Sequence, residues 1–423
     1  MRYCRGFTGL LLLAIMGLAL AGPAVYGVAE AKEVTIGFTG PISGVAAEYG
    51  QDCLNGVEMA VNDINAGGGI TVGGEKCTLK LVKLDDMIDP TQAVNNCRRL
   101  LDQYKTPAIF NPVFNTLAAI AKINEEKDHE FLVMAYTSTP KVLEIGNKLL
   151  VEIPPPFTIY VRSLADQALK EGWRKAAMVV TLGAYGDEWR HTFTEYWQSK
   201  GGQITEDKPA NYYTETDFSA QLTAAIASKP DVILIGGPSA PTALVIEQAR
   251  NLGYNGGFIL VDQAKSDYIA NILKGTELMN GTIGLAAVNQ LPFAAMPSFD
   301  KRYTELYKRM LTWEVCLNYT AMHALARAMV AAGTVSDPVA IRAALPKAFP
   351  LLGDKFPIEF FGITLRGCME LAGSVQFIKD GKYSPVETLY WWFKTEEEFN
   401  LFKAQHPAPG NVTMKFLKSE HEE

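Results

Sequence analysis

The chain has 423 residues, 48% of them apolar and 20% charged, enough to bury one large or two medium cores and too apolar for a disordered segment. Its 46 acidic and 39 basic residues are interspersed and leave a formal charge of −7, so no basic stripe tracks a phosphate backbone and no nucleic acid is expected as partner. Five histidines without H-x3-H spacing and cysteines without a C-x-x-C pair give no pattern for a metal site, and no cofactor is expected.

The N-terminus carries Arg2 and Arg5, the apolar run GLLLLAIMGLALAG and then small residues ending in Ala29-Glu30-Ala31. This is the layout of a secretory signal covering residues 1–31, cut before Lys32, with a cut after Ala21 as the competing site. The apolar run is shorter than the roughly 20 residues a spanning helix needs. Cys4 precedes the run, where an acylated lipoprotein cysteine does not lie, so a soluble, exported, periplasmic protein is expected. Five cysteines remain after cleavage (Cys53, Cys77, Cys97, Cys316 and Cys368), an odd number in a compartment that permits disulfides, and their pairing stays open.

Along the mature chain, short apolar runs alternate with helix-length amphipathic stretches. Strands are expected at VTIGF (34–38), TLKLVKL (78–84), PAIF (107–110), EFLVMAY (130–136), KAAMVVTL (175–182), DVILIGG (231–237) and GFILVD (257–262). Helices are expected after Gly50, at PTQAVNNCRRLLDQY, from Phe157 to Glu171, and at DEWRHTFTEYWQSKG, DFSAQLTAAIASK and APTALVIEQARNLG. Nearly continuous apolar strands between helices imply βαβ units and parallel sheets covered on both faces, with ligands collecting at the carboxyl ends of the strands. The alternation breaks at VEIPPPFT (151–158), where three prolines hold the chain extended, so a crossing between two lobes is expected there. A second βαβ series runs to about Gly284, then come long helices (FDKRYTELYKRM and WEVCLNYTAMHALARAMVAAG) and a strand-rich tail whose KDGK signals a hairpin.

The motifs exclude more than they assign. GPISGVAAEYGQ (40–51) is a glycine-rich turn between a strand and a helix, but Gly37, Gly40, Gly44 and Gly50 miss the G-x-G-x-x-G spacing and no G-K-[ST] is present. A small anion such as a carboxylate suits its helix N-terminus better than a nucleotide phosphate does. GGPSAP around Ser239 resembles a nucleophile elbow with proline where the final glycine belongs.

GPISGVAAEYGQ…NGVEMAVNDINAGGGI, LVKLDDMIDPTQAVNNCRRLLD, AYGDEW and TDFSAQLTAAIASKPDVILIGG, in this order from about Val34 to about Trp392, resemble the branched-chain amino-acid-binding (Leu/Ile/Val-binding) proteins of ABC transporters. The resemblance implies a type I periplasmic binding clamshell of class α/β, each lobe a doubly wound parallel sheet flanked by helices. Its lobes would be 34–153 with about 286–356, and 156–285 with about 357–415, joined at a hinge of three crossing strands. It implies a non-catalytic monomer that captures an amino acid or related small carboxylate between the lobes and docks on a membrane permease; a sensor docking on a receptor would share the same fold. In that family a serine, a threonine, backbone groups and a first-loop aromatic hold the ligand's carboxylate. The matching positions are Tyr49, Phe114 or Asn115 in place of the serine, and Ser138 with Tyr136 two residues before it. In the second lobe Tyr185 matches the covering tyrosine, Pro238 or Ser239 stands where another tyrosine is frequent, and Asp262, or Gln263, falls near the acid that pairs with the ligand's ammonium. Ile88 and Val113 occupy the positions that some members bridge by a disulfide. With the serine gone and Phe114, Tyr136 and Tyr185 in the cleft, an aromatic or organic acid is the alternative ligand, and a secreted hydrolase using Ser239 is the alternative function.

Overall fold

A computed structural model describes residues 31–418 apart from 45, 409 and 411; most of the expected signal segment lies outside the described residues. None of the helices described is long and apolar enough to cross a membrane.

The first half alternates β1 (Lys32–Gly40), α1 (Ala47–Ala66), β2 (Ile70–Val72), β3 (Glu75–Asp85), α2 (Pro90–Tyr104), β4 (Ala108–Asn111), α3 (Phe114–Ile120), β5 (Leu132–Ala135), α4 (Lys141–Glu144) and β6 (Leu150–Glu152). These strands form one sheet in the order β2-β3-β1-β4-β5-β6, parallel except for the β2–β3 hairpin. Alternate side chains of its central strands enter different cores, as the period of two dictates: Phe110, Leu132 and Met134 on one face, Ile109, Phe131 and Val133 on the other. Asp89 caps α2 by accepting the Gln92 N–H at 2.8 Å, with Pro90 next to it, which is why that helix begins where its motif predicts.

The second series comprises α5 (Thr158–Lys170), β7 (Lys175–Val180), α6 (Ala184–Ser199), β8 (Gln203–Asp207), α7 (Ser219–Ala227), β9 (Val232–Gly236), α8 (Ser239–Asn251), β10 (Gly257–Leu260), α9 (Ser266–Leu273) and β11 (Thr282–Leu285). Its strands run β8-β7-β9-β10-β11, all parallel. The order β3-β1-β4-β5-β6 in the first sheet is the same doubly wound plan, so each lobe has a switch point beside its first strand, β1/β4 in one and β7/β9 in the other. The chain is α/β, with two such sheets.

Helices α10 (Met296–Tyr307), α11 (Trp313–Ala332) and α12 (Pro338–Ala344) return to the first lobe, where α11 packs along α1. α11 is apolar all round and buried along most of its length, the pattern of a helix enclosed by protein on every side. Asp52, fully buried on α1, ties the two helices together: it accepts from Arg309 Nε at 2.9 Å, Thr312 Oγ1 at 3.2 Å and Tyr303 OH at 3.4 Å. The hairpin β12 (Gly362–Ile363) and β13 (Met369–Glu370) also stays beside the first sheet, because the Glu152 N–H bonds the Gly367 carbonyl at 2.9 Å and Glu152 bridges to Cys368. Return to the second sheet, expected from about residue 357, comes instead with β14 (Gly373–Lys379), antiparallel to β11, and continues through β15 (Lys382–Tyr383), β16 (Glu387–Tyr390), α13 (Glu396–Gln405) and β17 (Thr413–Phe416). Asp380 and Gly381, both at positive φ, make the hairpin turn that KDGK signals. The chain thus passes between the sheets three times, at 153–157, 286–295 and 371–372.

The strands missing from the sequence reading include β2, β6, β8 and β11, with the short β12, β13 and β17 near the C-terminus. β8 has an exposed, polar edge pattern (QITED), β2 and β6 are three residues each, and the glycine of TIGL weakens the apolar signal of β11.

Burial raises the carboxyls of Asp52 and of Asp86, also fully buried, to about 6, against which Arg309 and Lys265 act on Asp52 and the Thr39 and Asn111 side chains on Asp86. A carboxyl raised on folding holds its proton where the unfolded chain has lost it. Its contribution to stability therefore grows as pH falls from above 6 toward 4, by on the order of 2 kcal/mol per group. The melting temperature is expected to rise by a few degrees between pH 7.5 and 5.5, and Asp86→Asn to flatten that rise; a wild-type profile that falls throughout this range contradicts the assignment.

Candidate functional site

The two sheets face each other with their carboxyl ends, and a cavity of about 90 Å³ lies between them. The first lobe contributes Ala46 and Tyr49 from the β1–α1 turn, Ile88 after β3, Pro112, Val113 and Phe114 after β4, Tyr136, Thr137 and Ser138 after β5, and Glu314 from α11. Tyr185, Tyr213, Asp262 and Gln263 come from the second, after β7, β8 and β10, and Pro154 from the proline crossing. A hollow of about 270 Å³ lies among the C-terminal aromatics, and an open groove of about 870 Å³ runs between α4 of the first lobe and α5 and α6 of the second, on the outer side of Phe157. The small cavity is the one at both switch points, where this sheet topology collects ligands.

The same device serves both lobes. Tyr49-Gly50 and Tyr185-Gly186 each stand in the first turn of the helix after a first strand. A Cβ on Gly50 would overlap the Pro41 carbonyl oxygen, and one on Gly186 the Thr181 carbonyl oxygen. Glycine lets each helix start pack directly on the strand end, which sets the preceding tyrosine at the cavity. The glycine-rich turn at 40–51 is thus explained by close packing, and helix α1 begins beside the cavity without a side-chain cap, its Ala47 N–H taken by the Gly44 carbonyl at 3.2 Å.

Asp262 is the centre of the second-lobe wall. Its Oδ1 accepts from the Tyr185 hydroxyl and from Trp189 Nε1 at 2.9 Å, and the Ser138 hydroxyl reaches it from the first lobe. Burial raises its carboxyl, while these three donors act the other way. The Tyr185 oxygen also accepts the Gln263 N–H at 3.3 Å, and Gln263 in turn bonds Tyr213. Phe157, at the end of the proline crossing, stacks on Trp189 with ring centres 4.9 Å apart and meets Tyr185 edge-on at 6.2 Å; its N–H bonds the Ser138 carbonyl at 2.8 Å. The prolines thus carry into the site the ring that braces Tyr185 and Trp189, the second-lobe donors of Asp262.

On the opposite wall the Tyr49 hydroxyl is spent on the carbonyls of Pro112 at 2.9 Å and Tyr136 at 3.3 Å, so the residue offers the cavity its ring, tilted against that of Tyr136 at 6.1 Å. Burial raises the phenols of Tyr49, Tyr136 and Tyr185, with the Asp262 charge adding to all three and that of Glu314 to the first two. No lysine, arginine or histidine lines the cavity among the described residues.

Of the residues expected at the site, Tyr49, Phe114, Tyr136, Ser138, Tyr185 and Asp262 meet at this cavity, as does Gln263, the alternative to Asp262. Asn115 and Ser239 do not. Asn115 is exposed on α3, one residue past Phe114, which takes the inward position. Ser239 is 2% exposed and opens α8, and its Oγ accepts the Lys265 N–H at 3.0 Å inside the second lobe, away from the cavity lining. Ile88 and Val113, expected only as replaced cysteine positions, line the cavity, and the five cysteines described are each buried, none of them in a disulfide. Sequence reasoning missed Glu314 and Tyr213. In TWEVC a glutamate in the first turn of an apolar helix reads as a partner of the helix dipole, and only the packing of α11 on α1 brings it to the cavity.

A family model described as "Periplasmic binding protein" matches residues 33–369. An amino acid binding protein of Pseudomonas aeruginosa is 27% identical over 282 residues, covering 66% of this chain and 71% of its own length. Leu/Ile/Val-binding protein homolog 1 of Brucella abortus is 26% identical over 88% of this chain and 98% of its own. Among solved structures, a leucine binding protein of Thermotoga maritima superposes with a TM-score of 0.70 at 25% identity, covering 84% of this chain and 98% of its own. A solute binding protein from R. palustris in complex with benzoate has the same fold, with a TM-score of 0.70 at 18% identity over 83% of this chain and 95% of its own.

Gly186→Ala is expected to cost about 1–3 kcal/mol in chemical denaturation, the range for overpacking a filled site, and Gly50→Ala a similar amount. Tolerance of both without loss of stability would contradict the close-packing account of the tyrosine positions.

Proposed function

The chain belongs to the periplasmic binding protein family, and on that footing we propose that it captures an amino acid in the cavity between its lobes, outside the cytoplasm, and passes it to an ABC permease. It acts as an exported monomer, without cofactor and without catalysis. The observation that carries the ligand class is Asp262: a carboxylate set between the lobes, provided with donors from both, in an aromatic cavity that no cationic side chain among the described residues lines.

Such a carboxylate suits a ligand's ammonium, since a charge-assisted hydrogen bond offsets the desolvation of both partners. The ligand's own carboxylate has the N-terminus of α1 to face, beside Ala46 and Tyr49. Phe114, Val113, Ile88 and the Tyr136 ring supply apolar contact for a branched side chain. The benzoate found with the R. palustris protein lacks an ammonium. In this cavity its carboxylate would meet the Asp262 carboxylate, with no lysine, arginine or histidine among the described lining residues to offset it. Closure then results from differential affinity, because a ligand held by groups of both lobes favours the state in which they meet.

The test is thermal melting of the mature protein, denatured and refolded to strip any bound ligand. Leucine, isoleucine or valine is expected to raise the melting temperature in step with the excess over Kd, and benzoate is not. Asp262→Asn is expected to weaken amino-acid binding by roughly 10- to 100-fold in calorimetry, the range for a lost charge-assisted bond. A shift with benzoate and none with any amino acid would overturn the ammonium reading.

A further inference from the structure

Lys265 and Glu314 form an ion pair across the lobe boundary. Lys265 comes after β10 in the second lobe and Glu314 sits in the first turn of α11 in the first; Nζ and Oε2 are 3.2 Å apart, and each side chain is 4% exposed. Lys265 also enters the field of Asp52 and Glu48, both on α1, and Arg309 meets Asp52 from the other side. A lysine of one lobe is therefore seated among carboxylates of the other. A second pair across the lobes, Lys141 with Glu188 at 2.6 Å, leaves its lysine 54% exposed and is worth little by comparison.

The backbone of Lys265 is fixed within its own lobe. Its N–H bonds Ser239 Oγ at 3.0 Å, it bridges to Leu285, and its carbonyl accepts the Ile269 N–H at 3.0 Å. Three residues earlier the same loop carries Asp262, and Glu314 lines the cavity that Asp262 faces. The loop is thus joined to the first lobe at two points, Asp262 to Ser138 at the cavity and Lys265 to Glu314 beside it.

We propose that the Lys265–Glu314 pair is a closure latch that positions the Asp262 loop against the first lobe and slows release of the solute. The inference rests on the amino-acid reading above only for the choice of probe. Opening the lobes would hydrate both charges, whereas removing one partner leaves the other buried and uncompensated in the closed form. The latch therefore acts on the closed state alone, and its loss appears in dissociation more than in association.

Spin labels at cysteines replacing Lys76 in the first lobe and Gln203 in the second, both exposed, report the interlobe distance with and without L-leucine. Lys265→Met and Glu314→Gln are each expected to shift the ligand-free distances toward the open population. They are also expected to weaken L-leucine binding by roughly 10- to 100-fold, chiefly through faster dissociation in stopped flow. The double variant Lys265→Met/Glu314→Leu, which leaves neither charge of the pair buried, is expected to recover part of the loss, and Lys265→Arg most of it. Distances and dissociation rates that match wild type in both single variants, with only the melting temperature lowered, would overturn the latch and leave the pair a structural one. If L-leucine fails to bind even the wild type, the amino-acid reading falls, while the ligand-free distances still decide the latch.

Discussion

A carboxylate taken out of water needs donors, and the site is built around supplying them to Asp262 from both sides of a cleft. Tyr185 and Trp189 come from the second lobe and Ser138 from the first. That requirement explains features that look unrelated in the sequence. Trp189 must be fully buried to reach Asp262, so Phe157 stacks on it. Phe157 must arrive from the first lobe in an extended segment, which is what the prolines of IPPPF impose. The crossing and the binding wall are consequently one piece of structure.

The two lobes solve the same problem with the same local chemistry. Each is a doubly wound sheet with its switch point beside its first strand, and each uses a Tyr-Gly pair at the helix start to hold a ring over the cavity. They differ in how the tyrosine hydroxyl is used. In the first lobe it is consumed by backbone carbonyls and its ring joins Phe114, Val113 and Ile88 at the cavity; in the second it serves Asp262. A bound molecule with one charged amine and one apolar side matches that asymmetry.

The helical return after the second series closes the first lobe rather than forming a domain of its own. Asp52 binds Tyr303 of α10 and Arg309 and Thr312 of the segment that follows it, and this fixes the start of α11, where Glu314 lies. At this joint separate stretches of chain must meet in a single register, and an unpaired buried group would be costly.

Periodicity alone revealed the alternation of strands and helices, the break at the prolines and the hairpin at KDGK, because those signals are local: the side-chain spacing of a strand or helix and the allowed dihedrals of proline and glycine. The order of family motifs added six of the eight expected site residues, since Tyr49, Phe114, Tyr136, Ser138, Tyr185 and Asp262 all lie just past strand ends, where the topology puts a ligand. Asn115 and Ser239 sit at strand ends too, and there the sequence could not tell an inward side chain from an outward one or a free hydroxyl from one already bonded to a backbone N–H. Glu314, Tyr213 and the Lys265–Glu314 pair were decided only by tertiary structure. Their meaning depends on which helix packs on α1 and which loop crosses the cleft, and pairing between distant parts of a chain leaves no trace in the local pattern of either part.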